Sequence, residues 1–395
     1  MRLGRLFGLP VSALVALTPG TASASTVSVV PTGESYEFRY KADPGERNRL
    51  EASAAAGILT LVDSGARVTA GAACERISKH RAICNAEDLD RRGGANPLMA
   101  RLGGGADMAR LNGGLVWSAL DGGPGSDDLA GGSDSDTIAG GHGADLLDGG
   151  GGIDNVSYAG RPAPVHVRLG GGSSGNGGTL DGAGDRLRRF EIATGGDGDD
   201  HLIGTRGRDE LRGGPGADTL DGGGGPDQLA GEEGDDELHG QNGPDDLRGG
   251  EGGDRAFGGP GRDELITPAG DGADLLVGGG DPEDSVFYSD LQVRVELNGL
   301  PDDGACDDAT CSASGEGDDV RGVAEVNSSF GDDVLIGSDL AETFGPGAGS
   351  NMVMAKGGDD FVILSLTYPD TVDCGAGIDT VSGAEPGDTL IACEL

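Results

Sequence analysis

The sequence predicts an all-β fold in which short strands stack on one another as a solenoid. The first observation is a nine-residue repeat that runs through residues 195–287 with small insertions. The second is its content, because an Asp returns at the sixth place and an apolar residue at the eighth. The third is composition: only 35% of the 395 residues are hydrophobic and 4% are aromatic. That is too little for an ordinary globular core of this length, but enough for stacked units that contact only their neighbours.

The chemistry of one unit explains the spacing, for which residues 213–221, Gly-Gly-Pro-Gly-Ala-Asp-Thr-Leu-Asp, are an example. Glycines at places one, two and four permit positive φ and tight turns with bared carbonyl groups. The last three residues form a short strand that points one apolar side chain inward. The Asp at place six adds anionic oxygen beside the carbonyls, and these are ligands that Ca²⁺ prefers. The predicted metal-binding residues are Asp127, Asp136, Asp145, Asp154, Asp200, Asp209, Asp218, Asp227, Asp236, Asp245, Asp254, Asp263, Asp274, Asp284, Asp333, Asp360, Asp370, Asp379 and Asp388.

These units resemble the RTX, or haemolysin-type, calcium-binding nonapeptide repeats, whose pattern is Gly-Gly-x-Gly-x-Asp-x-U-x with U a large apolar residue. The resemblance implies that two units form one coil of a right-handed parallel β-roll, with Ca²⁺ between successive turns. A looser resemblance to secreted actinobacterial calcium-binding repeat proteins rests on residues 43–48, the Cys74 to Cys84 loop and the Cys-Gly-x-Gly-x-Asp-x-Val ending. It implies no activity.

The chain begins with two segments that lack the repeat. Residues 1–24 contain a basic start, a short apolar run and Ala22-Ser23-Ala24, which is the layout of a secretory signal peptide. The apolar run is too short to cross a bilayer, so we expect a secreted, extracellular protein with no transmembrane segment in the mature chain. Residues 25–101 show strand patterns at Tyr36–Tyr40 and Gly57–Val62. They predict an N-terminal β cap that covers the open edge of the first coil.

The repeat itself falls into three blocks, at residues 102–157, 195–287 and 328–395. The third block is the most degenerate, because Glu342 and Asn351 replace the Asp at place six. We therefore expect the fold to extend further than the metal sites in this block.

Two interruptions, at residues 158–194 and 288–327, align with each other. Each begins at a Tyr and contains a strand pattern, Val165–Leu169 in one and Val293–Leu297 in the other. The best sequence alignment then matches Asp185 with Asp319. The resemblance implies two β spurs, in which a strand leaves the roll and the chain later rejoins it.

Six cysteines lie outside residues 1–24. An even number in an exported protein favours disulfides among fifteen connectivities. A zinc site is the alternative, but there is no Cys-x-x-Cys motif and no histidine accompanies the cysteines. Proximity in sequence favours the pairs Cys74–Cys84, Cys306–Cys311 and Cys374–Cys393.

Two common catalytic motifs are absent or incomplete in the sequence. The chain has no His-Glu-x-x-His motif. Ser173 lies in a Gly-x-Ser-x-Gly match, but a Gly-rich run follows it instead of the helix that a nucleophile elbow requires. The net charge of −40 argues against nucleic acid as a partner, since phosphates would be repelled.

The sequence therefore predicts a secreted, non-catalytic protein with multiple Ca²⁺ ions as its cofactors. One buried Leu per nine residues offsets little of the conformational entropy that nine ordered residues lose. We therefore expect folding to be coupled to metal binding. Two alternatives stay open: an adhesin that binds a cell surface or extracellular matrix through the roll, and a secreted hydrolase whose catalytic part lies in residues 25–115.

Overall fold

In the computed structural model, the described part of the chain is almost entirely strand and turn, with no helix. No described segment could therefore cross a bilayer as an apolar helix. The structure describes residues 25–32, 35–42, 45–55, 58–65, 68–70, 74–78, 81–85, 98–112, 117–170, 184–267, 272–279, 281, 283–289, 293–297, 304–305, 318–365 and 368–393.

The strands stack as a solenoid of about 14 turns, which confirms the predicted fold class. Successive repeat strands alternate between a continuous front sheet and a back side, and each pairs in parallel with the strand one coil away. In the front sheet, for example, Leu211 is the register partner of Leu229, which is in turn the partner of Leu247. The front sheet and the back side face each other across a core to which each repeat strand contributes one buried side chain.

The front sheet has 17 strands among the described residues. They are β1 (Ser25–Thr32), β2 (Ser35–Lys41), β5 (Val68–Ala70), β8 (Leu98–Arg101), β10 (Trp117–Pro124), β12 (Ser135–His142), β14 (Asn155–Ser157), β17 (Ile192–Thr194), β19 (Glu210–Pro215), β21 (Gln228–Glu233), β23 (Asp246–Glu251), β25 (Glu264–Thr267), β27 (Ser285–Tyr288), β31 (Glu325–Ser328), β33 (Thr343–Gly345), β35 (Phe361–Ile363) and β37 (Thr380–Ser382).

The back side is divided into three sheets. The first contains β3 (Arg49–Ala55), β4 (Ile58–Asp63), β6 (Cys74–Ser78), β7 (Arg81–Asn85), β9 (Met108–Asn112), β11 (Asp128–Ala130), β13 (Leu146–Asp148) and β16 (Arg186–Arg188). The second contains β15 (His166–Arg168), β18 (His201–Ile203), β20 (Thr219–Gly224), β22 (Glu237–Asn242), β24 (Arg255–Phe257), β26 (Leu275–Val277) and β30 (Asp319–Arg321). The third contains β28 (Val293–Glu296), β29 (Gly304–Ala305), β32 (Val334–Ile336), β34 (Met352–Met354), β36 (Thr371–Asp373) and β38 (Thr389–Ile391).

The first coil is formed by the β cap itself. Strands β2 and β3 pair in parallel with β8 and β9 of the next coil. On their other sides they pair antiparallel with β1 and β4, and β4 continues into the antiparallel strands β7 and β6. The strands predicted at Tyr36–Tyr40 and Gly57–Val62 are thus β2 and β4. Antiparallel partners cover the first coil, as the exposed edge of a solenoid requires.

The core is the column of eighth-place residues. From Leu129 to Val372, these side chains are 0–2% exposed on both sides of the roll, and the column includes the small Ala256. Val381 and Leu390, on β37 and β38, are only partly buried. The reason is that no described strand stacks on these two.

Both interruptions follow one path that corrects the spur prediction. After β14 the chain forms β15, which pairs with β18 of the following coil, and then returns to form β16, which pairs with β13 of the preceding coil. Strands β28 and β30 repeat this path by pairing with β32 and β26. The expected departure of a strand from the roll is therefore wrong: Val167 and Val295 are buried in the core, and the alternating apolar residues of the stems belong to it. In each interruption the chain pairs first with a later coil and then with an earlier one, and this divides the back side into three sheets.

Of the predicted disulfides, Cys374–Cys393 is present, with the two Cα atoms 5.1 Å apart. It joins the end of β36 to the segment after β38. The register of β6 and β7 makes Cys74 and Cys84 backbone partners. Cys306, Cys311, Ser173 and the predicted signal peptide lie outside the described residues.

Candidate metal sites along the turns

The Asp residues at place six form two ladders, one along each edge of the roll. The Oδ1 atom of each Asp accepts a hydrogen bond from the backbone N–H of the place-six residue one coil earlier. The Asp200 N–H donates to Asp218 over 2.6 Å, Asp218 to Asp236 over 2.7 Å, and Asp236 to Asp254 over 2.8 Å. On the other edge, Asp209, Asp227, Asp245 and Asp263 are linked in the same way. The turns of successive coils are thereby held in register.

The structure brings together nearly all of the predicted metal residues in these ladders. Every one of them is buried, with 0–4% of its surface exposed, except Asp388. Asp388 is partly exposed in the last described coil, although its Oδ1 still accepts the Asp370 N–H at 2.9 Å.

Four ladder positions were missed by the sequence analysis: Asp107, Asp185, Asp318 and Glu191, the last of which accepts the Asp154 N–H at 3.0 Å. Asp107 donates its backbone N–H to Asp127, while Asp185 and Asp318 accept the N–H groups of Asp145 and Asp274, each at 2.9 Å. Each is followed two residues later by a buried apolar residue, and that spacing could have identified them. They escaped because their units are separated from the rest by insertions or lack the first glycine.

The position of Asp318 also corrects the alignment of the two interruptions. Val320 is the register partner of Leu276 in the core column, and the ladder residue stands two places before it. Asp185 therefore corresponds to Asp318 and not to Asp319. The spacing to the apolar Val320 already favours Asp318 over its neighbour Asp319, and the pairing of β30 with β26 establishes it.

The degenerate third block keeps its ladder with altered chemistry. Asn351 accepts the Asp333 N–H through Oδ1 at 2.9 Å, and its Nδ2 group donates to the Gly349 carbonyl. The carboxylate of Glu342 accepts the Ser338 N–H. Hydrogen bonds thus continue the fold where the nonapeptide lacks its Asp.

The second carboxylate oxygen of many ladder residues has a different environment. This Oδ2 atom is buried and has no hydrogen-bond donor, although it belongs to a carboxylate that would be charged at neutral pH. Such an orphaned anionic atom indicates an unfilled coordination partner. The atoms concerned are Oδ2 of Asp107, Asp127, Asp218, Asp227, Asp236, Asp245, Asp254, Asp263, Asp360 and Asp370.

Each orphaned oxygen that follows a full glycine turn lies in a cradle that a Cβ atom would fill. A Cβ on Gly222 would lie 2.7 Å from Asp227 Oδ2 and 3.1 Å from the carbonyl oxygen of Gly240. A Cβ on Gly240 would lie 2.5 Å from Asp245 Oδ2 and 2.8 Å from the Gly258 carbonyl. A carboxylate oxygen and a carbonyl oxygen of successive coils therefore converge beside the first glycine.

This geometry changes the explanation for the first glycine. Positive φ occurs at places two and four, as at Gly223 (φ 96°) and Gly225 (φ 108°), but not at the place-one glycines of residues 122–258. The first place is glycine because of the close approach of oxygen atoms. The predicted need for positive φ is confirmed for the other two places only.

In the absence of a cation, the pKa values of many ladder carboxyl groups are raised. Burial raises the pKa of Asp236 to about 8 and those of Asp218, Asp227 and Asp263 to about 7. The backbone N–H bond to each carboxylate lowers its pKa, but does not offset the burial. Repulsion from ladder neighbours, such as Asp254 beside Asp236, raises the pKa further. A row of buried like charges requires protons or cations.

The donor set discriminates between metals. Within the described ranges, no three His, Cys, Asp or Glu side chains converge on one point. An ion at the cradles would therefore be held by carboxylates together with backbone carbonyls. Such an all-oxygen set suits Ca²⁺ and not zinc or copper, which favour sulfur and imidazole ligands.

Comparison with known proteins agrees with this chemistry. A family model described as the RTX calcium-binding nonapeptide repeat (4 copies) matches residues 121–156, 194–229 and 230–265. No curated protein matches the chain. The matched segments contain the Asp ladders and the glycine cradles in both of the first two blocks. The repeats in these three segments are therefore RTX calcium-binding nonapeptide repeats.

Proposed function

We propose that this protein is a secreted, non-catalytic Ca²⁺-binding β-roll whose folding is coupled to the uptake of several ions. The observation that carries the proposal is the row of buried Asp Oδ2 atoms without a donor, several of which converge with a carbonyl of the next coil beside the first glycine. The calcium-binding family of the repeats supports it independently.

The residues that would hold the ions are the ladder Asp residues with an open Oδ2 and the carbonyl groups of the glycine turns. Bound Ca²⁺ would supply positive charge to two rows of buried carboxylates and join oxygen ligands of successive coils. The chain's own part is to hold these oxygens in position through the N–H to Oδ1 ladder of the folded roll. Because the unfolded chain has no such cradle, metal affinity becomes folding free energy.

Secretion and the lack of catalysis belong to the same proposal. The exterior of a cell supplies the roughly 10⁻⁴–10⁻³ M Ca²⁺ at which extracellular modules operate. Residues 1–24 have the pattern of an export signal, and the sequence carries none of the catalytic motifs sought. We infer that the chain crosses the membrane unfolded and forms its roll outside.

A calcium titration of the chelator-treated full chain, followed by circular dichroism and limited proteolysis, tests the proposal. The expected result is a cooperative gain of β signal and protease resistance as Ca²⁺ rises, with Mg²⁺ much less effective. Full β signal and protease resistance in excess chelator would show that the roll needs no ion.

A further inference from the structure

Four turns of the roll carry a hydroxyl-bearing side chain in place of the first glycine. At this place, two residues after the buried core residue, they carry Tyr158, Thr267, Tyr288 and Ser328. In the glycine turns, a Cβ at the same place would press on the Asp Oδ2 atom. A side chain at place one therefore changes the surroundings of that oxygen, and one with a hydroxyl group can bind it.

In all four turns the place-one side chain donates a hydrogen bond to the Asp Oδ2 atom. The Tyr158 hydroxyl donates to Asp185 Oδ2 at 2.9 Å, and the Tyr288 hydroxyl donates to Asp318 Oδ2 at 3.3 Å. The hydroxyl groups of the two smaller residues make the same bond at 2.8 Å, from Thr267 to Asp274 Oδ2 and from Ser328 to Asp333 Oδ2. The corresponding oxygens have no donor in glycine turns such as those of Asp218, Asp227 and Asp236.

The other oxygen of each of these carboxylates is also satisfied. Oδ1 of Asp274 accepts the Asp254 N–H at 2.8 Å, and Oδ1 of Asp333 accepts the Val293 N–H at 2.9 Å. Asp185 and Asp318 accept ladder N–H groups in the same way. All four carboxylates are 0–3% exposed, and each has one protein donor on each of its two oxygens.

We propose that a hydroxyl-bearing residue at place one prevents a turn from taking up Ca²⁺. In glycine turns such as those of Asp227 and Asp236, Oδ2 has no donor and is left for the ion, whereas Tyr, Thr or Ser supplies a hydroxyl proton to Oδ2 and closes the turn without metal. Asp274 and Asp333, although they fit the nonapeptide pattern, are then structural residues and not Ca²⁺ ligands, and Asp185 and Asp318 join them. This inference rests on the proposed function, since it divides the ladder residues that the function requires.

The four hydroxyl-closed turns cluster at the interruptions of the repeat. The two Tyr turns open the interruptions, and Thr267 and Ser328 lie on either side of the second one. From Tyr158 to Asp185 the chain passes through 27 residues instead of five, so the short glycine turn with its bared carbonyls is absent. In these turns a hydroxyl group binds the carboxylate oxygen and so takes the place of the ion that the glycine turns would bind. Calcium is thereby confined to the blocks on both sides.

Identical Asp→Asn substitutions in the two kinds of turn test the proposal in the full chain. Asp333→Asn and Asp274→Asn represent the closed turns, while Asp227→Asn and Asp236→Asn represent the open ones. Asn keeps the Oδ1 acceptor of the ladder, and a hydroxyl can turn from donor to acceptor to meet its amide group. The number of bound ions is counted by native mass spectrometry with Ca²⁺ alone, with circular dichroism as a check on folding.

We expect Asp333→Asn and Asp274→Asn to bind as many ions as the wild type, and each open-turn variant to bind at least one ion fewer. Loss of an ion from either closed-turn variant would overturn the proposal, since its hydroxyl would then be a ligand beside the carboxylate. An unchanged count in both open-turn variants would overturn it equally. A wild-type chain that binds no ion would instead refute the proposed function, so the two failures are distinguishable.

Discussion

The replacement Gly240→Ala tests whether the close approach of oxygen atoms explains the first glycine of each unit. The new Cβ would lie 2.5 Å from Asp245 Oδ2 and 2.8 Å from the Gly258 carbonyl oxygen. Ordinary contacts begin near 3.4 Å, so the oxygens must move by up to about 1 Å. The Gly258 carbonyl belongs to the backbone of the next coil and cannot move alone. Overpacking of this kind costs roughly 1–3 kcal/mol, and the movement also displaces two candidate Ca²⁺ ligands.

The assay is urea unfolding in saturating Ca²⁺, with Gly224→Ala as the matched control. Gly224 lies in the neighbouring unit without positive φ, and the nearest atom to its Cβ would be the Asn242 carbonyl oxygen at 3.6 Å. We expect Gly240→Ala to lower the free energy of unfolding by about 1–3 kcal/mol and to raise the calcium midpoint. Gly224→Ala should be neutral or stabilise by up to about 1 kcal/mol, because Ala restricts the unfolded chain. Equal losses in both variants would refute the close-approach explanation.

Three further predictions follow from the ladders and the last coil. In excess chelator, acidification from pH 8 to pH 5 should increase the folded fraction in circular dichroism. The buried carboxyls, such as Asp236 with its pKa raised to about 8, favour the protonated fold, and this contribution is lost as pH rises; a decrease on acidification would contradict the sign. Asp236→Ala should shift the calcium midpoint more than Asp379→Ala, because Asp379 lies near the Cys374–Cys393 disulfide, which holds that coil without the ion; equal shifts would count against this ranking. Combined Cys374→Ser and Cys393→Ser should cost about 3 kcal/mol for a closed loop of this size, and proteolysis should then begin at β36–β38; unchanged cleavage sites would argue against the staple.

The sequence by itself determined the period, the core column and most of the carboxylate ladder. Each follows from spacing within nine residues: an apolar residue two places after an Asp identifies the strand, and glycines before it identify the turn. Even Ala256, the weakest member of the core column, occupies its expected place with 1% of its surface exposed. Local spacing was sufficient because each coil repeats the environment of the one before it.

The tertiary structure decided what happens where that spacing fails. Strand β16 joins β13 across 40 residues of chain, and β30 joins β26 across 44, as the bonds from Asp145 to Asp185 and from Asp274 to Asp318 show. No local pattern states which distant coil a strand will join, so the sequence suggested spurs outside the roll. The hydrogen-bond partner of an Oδ2 atom could not be predicted from the sequence either, since a place-one hydroxyl and its Asp can be 27 residues apart. Only the stacking of the coils brings the hydroxyl and the carboxylate into contact. That contact distinguishes a carboxylate whose Oδ2 has no donor from one whose two oxygens are both hydrogen-bonded within the protein.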